Sequence, residues 1–272
     1  MFAAACSIML IFLASYTKEL SSRIIFCLAG LLSTIILASV MHITIFLLAS
    51  ALLAYLLVYG KKSLLGPRTL FAGALLSFAI LAMQIIMPSN FSNIQSSLAE
   101  FQQGESMKQK AWESVNQAED IYLGYGPGQL ASKAAFVASG LVQGGFVSNI
   151  TNPEMSQIFI KTMLPLWNEM SDLYISAGSS QKPYSSWLSL YSEFGMAGVI
   201  ALSLISIKYI LSFRKSNSHE SKRAAFGCIC IAIFVILIGY QDHYWETPQT
   251  MLLAVVLLKI LRTKANTQSH LP

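Results

Sequence analysis

Charged side chains are scarce in this sequence. Only 11% of its 272 residues are Asp, Glu, Lys or Arg, against about 25% in an ordinary soluble domain. The length would allow one or two soluble domains, but 54% hydrophobic residues and a mean hydropathy of +0.57 exclude that class and point to an integral membrane protein. Cysteine is sparse as well. Cys6, Cys27, Cys228 and Cys230 all lie in apolar runs, and the spacing of the last two would turn their thiols to different faces of a helix. They read as small buried hydrophobes rather than as a disulfide or metal set. No His, Cys and carboxylate group has metal-ligand spacing, and no cofactor is implied. A cleavable leader fits poorly: residues 1–16 lack a basic start, and no small-residue cleavage site precedes Lys18.

What the chain does have is long apolar runs. A hydrocarbon core about 30 Å thick takes about 20 helical residues, and candidate spans fall at 2–16, 24–40, 43–59, 69–88, 194–213, 224–240 and 248–261. The stretch from Ile24 to Tyr59 is 36 residues without a charge. At about 1.5 Å per residue it is too long for one crossing, so a fold-back is expected at Met41-His42.

The few charges sort by side. Loops 17–23, 60–68 and 214–223, the tail after 262, and the helix-end residues Lys208 and Lys259 together hold 13 of the 18 Lys/Arg residues and two acids, Glu19 and Glu220. Residues 89–193 and 241–247 hold five lysines and the other eleven acids. The basic side is cytoplasmic, which also explains a net charge of +5 without nucleic acid as a partner. The expectation is an all-α polytopic protein with about seven spans and an outside N-terminus. Residues 1–88 would hold the N-terminal spans, 89–183 a large helical external loop, and 184–272 the C-terminal spans.

Apolar spacing of three and four predicts helices in that loop near 92–103, 105–118, 129–143 and 154–176. Pro153 suits a helix start, and Pro165 would kink the last of them. Ser139 to Asn152 is rich in Gly, Ser and Asn and reads as a flexible stretch.

Three external stretches stand out. "IYLGYGPGQLASK", 121–133, gathers Gly124, Gly126 and Gly128 around a proline. Gln129 stands where both nucleotide-loop patterns need glycine. What remains is a turn of permissive φ feeding a helix near Gln129, either a plain helix–helix turn or an anion site made of exposed amides. "KPYSSWLSLYSEFGMAGVIAL", 182–202, places Glu193 where a span begins. There it would cap the helix or serve as a general base, while Tyr184, Trp187 and Tyr191 read as an interfacial aromatic belt. "GYQDHYWETPQT", 239–250, crowds Asp242, His243, Tyr244, Trp245 and Glu246 before Pro248. It is either a polar turn or an Asp-His pair able to orient an imidazole.

The order of these stretches resembles the O-antigen ligase and polymerase family of bacterial inner-membrane glycosyltransferases. The resemblance is carried by "KQKAW" (108–112), "GYGPG" (124–128), "WLSLYSEFGMAG" (187–198) and "DHYWETPQ" (242–249), and it covers roughly the last 240 residues. It implies transfer of a glycan from a polyprenyl diphosphate carrier to a sugar hydroxyl at the periplasmic face, the acceptor being a lipid A core sugar or another repeat unit. It further implies that Lys108 and Lys110, near Trp112, lie by the diphosphate. Glu193 or the pair Asp242 and His243 would handle the acceptor proton, and the glycine turn would let the loop close over the carrier's head group.

The chain departs from the family's pattern at Met41-His42 and at Lys108, both of which replace an arginine. At Tyr184, nine residues before Glu193, a phenol replaces the ligase histidine. Since a phenol of pKa about 10 is a poor base at neutral pH, the polymerase is favoured over the ligase. Spans that usually precede these in the family are missing, so a truncated chain is also expected. The alternatives are a flippase-like component, which would place charges within spans, and a non-catalytic component of polysaccharide assembly.

Overall fold

The computed structural model describes residues 41–60, 84–85, 88–117, 122–139, 155–170, 182–212, 219–246 and 248–269. Among them there is helix and no strand, so the described chain is all-α. The elements are α1 (Met41–Tyr59), α2 (Pro88–Gln103), α3 (Met107–Asn116), α4 (Lys133–Ala138), α5 (Gln157–Met170), α6 (Ser186–Ser212), α7 (His219–Ile238), a single 3-10 turn (Tyr244–Glu246) and α8 (Pro248–Ser269).

The chain divides into two compact units, one formed by Gln95–Ile207 with Ile238–Pro248 and the other by the remainder. The division expected at 183/184 therefore cuts through the first of these. In the second unit α1, α7 and α8 bury Ala54, Ile229, Ile231 and Leu257 together. Cys228 and Cys230 are free and buried there, and the Cys230 thiol lies 3.6 Å from the Ser50 hydroxyl.

Among the described helices α6 alone is long and apolar enough to cross a membrane, and it leaves Ile200, Leu204 and Ile205 exposed. The apolar segments Ile45–Tyr59 and Ala224–Ile238 are shorter. The expected spans 2–16 and 24–40, and nearly all of 69–88, lie outside the described residues, as does most of the expected loop stretch 139–152. Met41 and His42, expected to turn, are both helical in α1.

Helices stand in the stretch 89–183 where apolar spacing placed them, with shifted ends. α4 starts at Lys133 because the Ser132 hydroxyl accepts from the Ala135 N–H at 3.3 Å. α5 starts behind Ser156, whose hydroxyl accepts from the Phe159 N–H at 3.1 Å, and it holds Pro165 within its length. The centre of this unit is Phe136. Its ring meets Phe159, Trp167 and Tyr184 at centroid distances of 5.1, 5.4 and 5.0 Å, an apolar seat that fixes α4 against α5 and the strand of chain leading into α6.

Two expectations about α6 are corrected. Helix is already running before Phe194, from Ser186, where the Ser185 hydroxyl accepts from the Leu188 N–H at 3.1 Å. That first segment ends at the break at Gly195, so Glu193 lies two residues before the break and the apolar length expected as a span starts just beyond it. Tyr184 and Tyr191 are not an interfacial belt: both are buried in the core of their unit.

Candidate functional site

α6 is broken at Gly195, which has φ 66 and ψ −168, a backbone region open essentially to glycine alone. Such a break strips neighbouring backbone groups of their helical partners. The turn 122–126 supplies substitutes. Tyr125 N–H donates to Ser192 O at 2.9 Å, Gly126 N–H to Glu193 O at 3.0 Å, and Ala197 N–H to Tyr122 O at 3.3 Å. The two backbones approach this closely because neither contact residue has a Cβ. One added to Gly195 would sit 2.2 Å from Tyr122 O, and one added to Gly124 would sit 2.4 Å from the Glu193 carbonyl carbon. The amides of Tyr125 and Gly126 are thus spent on protein carbonyls. The turn is a dock for the helix break, and the same left-handed backbone continues through Gly128 (φ 78) toward α4.

Two carboxylates from different parts of the chain close on the start of α4. Glu193 Oε1 accepts from the Ser132 N–H at 3.2 Å. Glu246 Oε2 accepts from the Lys133 N–H at 2.7 Å, and its Oε1 accepts from the Ser189 hydroxyl at 2.6 Å. Burial holds the Glu246 carboxyl above the usual carboxylate range, the two hydrogen bonds oppose that shift, and the Glu193 charge adds to it.

Lys108, expected beside a diphosphate, is fully engaged within the protein. Its side chain is buried, and its ammonium donates to Tyr184 O at 2.8 Å, Gln241 O at 2.9 Å and Lys182 O at 3.4 Å. Three N–H donors meet three carbonyl acceptors, and α3 is tied to both polar stretches at once. Burial pulls the Lys108 pKa down to about 7, against the opposing Asp242 charge.

Asp242 and His243 are joined through the backbone, whereas the expectation was a carboxylate that orients the ring. Asp242 Oδ1 accepts from the His243 N–H at 2.7 Å, while His243 Nε2 lies 2.8 Å from Ala131 O and so carries the proton of that bond. The ring stacks on Tyr184, with centroids 4.2 Å apart and planes 12° from parallel. The turn is held to α6 by Ser186, whose N–H and hydroxyl both donate to Asp242 O, at 3.1 and 2.8 Å.

Burial is the main cause that lowers the His243 pKa to about 4, with Lys108, Lys133 and Lys182 adding to it and the Ala131 bond opposing. An unfolded chain protonates this ring near 6.5, so between pH 6.5 and 4 the unfolded state binds more protons. Stability therefore falls as pH drops through that window, by at most about 3 kcal/mol. His243→Gln should remove that part of the slope in thermal melts of the detergent-purified protein. An unchanged slope would contradict the burial of a neutral ring.

Burial raises the Tyr184 pKa, and the Asp242 charge adds to the shift, so its phenol stays protonated at neutral pH. Lys110 is partly exposed and already paired, 3.0 Å from both Glu105 and Glu169. Trp112 packs on Tyr191 at 5.1 Å, and the Tyr191 hydroxyl donates to Asn116 Oδ1 at 2.8 Å. Lys108, Glu193, Asp242, His243, Tyr184, Trp112 and the glycine turn thus belong to one unit, with Lys110 at its edge. Sequence reasoning missed Ser132, Ser189 and Glu246 as members. The signal for Glu246 was a carboxylate in the same crowded turn as Asp242 and His243, and for Ser189 its place one helical turn before Glu193. Among the described residues no three of His, Cys, Asp and Glu gather as a metal site. No family model, curated protein or solved structure matches this chain.

Proposed function

We propose that the protein is a multi-pass glycosyltransferase of the O-antigen polymerase/ligase type. It would lie in the bacterial inner membrane with its C-terminus in the cytoplasm and act at the periplasmic face on glycans carried by polyprenyl diphosphate, with the polymerase reaction favoured. The observation that carries this reading is convergence. The four stretches that suggested the family meet within one compact unit: Trp112 packs on Tyr191, Tyr125 and Gly126 bond to Ser192 and Glu193, Ser189 bonds to Glu246, and Lys108 bonds to Gln241, the residue before the fourth stretch.

In this reaction an acceptor hydroxyl oxygen bonds to the anomeric carbon as the bond from that carbon to the diphosphate oxygen breaks. The hydroxyl proton passes to a base. Glu193, Glu246 and Asp242 are the carboxylates at hand. The departing diphosphate keeps the electron pair and needs positive charge. In the described arrangement Lys108 spends its protons on carbonyls, so we assign the diphosphate to Lys133 and Lys182. Both are partly exposed and close enough to depress the His243 pKa.

In cells lacking the chain, the wild-type gene should restore long glycan chains, and Glu193→Gln at equal membrane abundance should not. An undiminished chain-length ladder from that variant would rule out the assigned chemistry. One observation favours the alternative of a non-catalytic assembly component: Lys108 and His243 both direct polar atoms at backbone carbonyls. That alternative predicts that Glu193→Gln and Glu246→Gln each leave the ladder intact.

A further inference from the structure

The turn that docks on the helix break carries two side chains with no place in the core. Tyr122 and Leu123 are 81% and 80% exposed, although the backbone beside them is fixed by bonds to α6. Beside the same break, Phe194 and Met196 are 47% and 41% exposed. These four apolar side chains, drawn from two separate segments, gather around Gly195, where the apolar length of α6 begins. Water is a costly neighbour for such a patch.

We propose that Tyr122 and Leu123 insert into the outer interface of the lipid bilayer, so that the glycine turn is a membrane-seated anchor beside the span. This rests on the reading that α6 crosses a bilayer. Three observations select lipid as the occupant. First, Met196 precedes Ile200 and Leu204 at spacings of four, so it shares with them one exposed apolar face of the same helix. Second, non-helical backbone is tolerated at membrane depth where protein satisfies its polar groups, and the turn and the break satisfy each other through the three bonds from Tyr125, Gly126 and Ala197. Third, the exposed pair includes a tyrosine, Tyr122, and tyrosine is favoured at head-group depth. The consequence for the reaction is positional: the carboxylates that meet at α4 are held at the membrane surface, where the diphosphate of a lipid carrier lies.

The test is a depth measurement on the full chain, with its four cysteines replaced by alanine, in vesicles of phosphatidylethanolamine and phosphatidylglycerol. A nitroxide is attached in turn at Leu123→Cys and Leu204→Cys, and its collisions with oxygen and with a water-soluble nickel chelate are compared. The expected result is a deep, oxygen-dominated signal at 204 and a shallower, still oxygen-dominated one at 123, with Tyr122→Cys giving the same answer. A deep label at 204 with water-exposed labels at 122 and 123 would overturn the anchor and leave the span intact. Water-exposed labels at all three would overturn both.

Discussion

Gly195→Ala should be the most damaging single-methyl change in the described unit. The new Cβ would lie 2.2 Å from Tyr122 O and 2.4 Å from its carbonyl carbon, and both atoms are backbone, so neither can rotate away. The backbone at φ 66 and ψ −168 adds about 1–3 kcal/mol of strain for any residue with a Cβ. Overpacking against main chain adds a further 1–3 kcal/mol or more. Gly124→Ala meets the Glu193 backbone at 2.4 Å and should cost a similar amount. Gly126→Ala is the control. Its φ is 89, but the nearest atom to an added Cβ is Gln129 Cγ at 4.0 Å, so only the strain remains. Melting temperatures of the detergent-purified variants should fall most for positions 195 and 124 and least for 126. Equal losses at all three would mean that the turn is not docked on the helix break.

The second large effect is a pH dependence. Lys108 in the folded chain has a pKa of about 7, lowered from 10.5 by burial. Between those values the unfolded chain still holds the proton while the folded chain has released it. The unfolded state binds more protons, so stability rises with pH from about 7 to 10.5 and then levels off. The rise amounts to at most about 5 kcal/mol. Lys108→Met should flatten this limb of the profile measured by denaturant unfolding. If the variant and the wild type rise in parallel, the amine is not buried as described.

Much of the architecture was readable from local pattern. Helices α2, α3 and α5 follow apolar spacing of three and four, and the glycine turn announced its left-handed backbone through composition. The start of α6 was not readable, because the apolar run begins at Phe194 while the true cap, Ser185, sits in a polar stretch that spacing alone reads as an approach. The burial of Tyr184 and Tyr191 was missed for a similar reason: an aromatic at the edge of a span looks alike whether it faces lipid or a neighbouring helix.

The site was legible as a set of stretches but not as a set of bonds. Lys108 finds its carbonyls 74, 76 and 133 residues away, and Glu246 reaches the Lys133 amide across 113. Those acceptors and donors are main-chain groups, which every residue possesses, so nothing in the residue types could mark them. A cationic residue expected to face a diphosphate was therefore found holding loops together. We therefore assign the charge for a ligand to Lys133 and Lys182, which sequence reasoning had not named.

The account stands on the sidedness of the unit that joins α3, α4 and the first part of α6. Alkaline phosphatase, which is active only outside the cytoplasm, can be fused after Gln143 in the intact N-terminal sequence and assayed in cells, with a fusion after Lys215 as the inward control. The account predicts high activity at 143 and none at 215. An inactive phosphatase at 143, with a cytoplasmic reporter active at the same site, would contradict it.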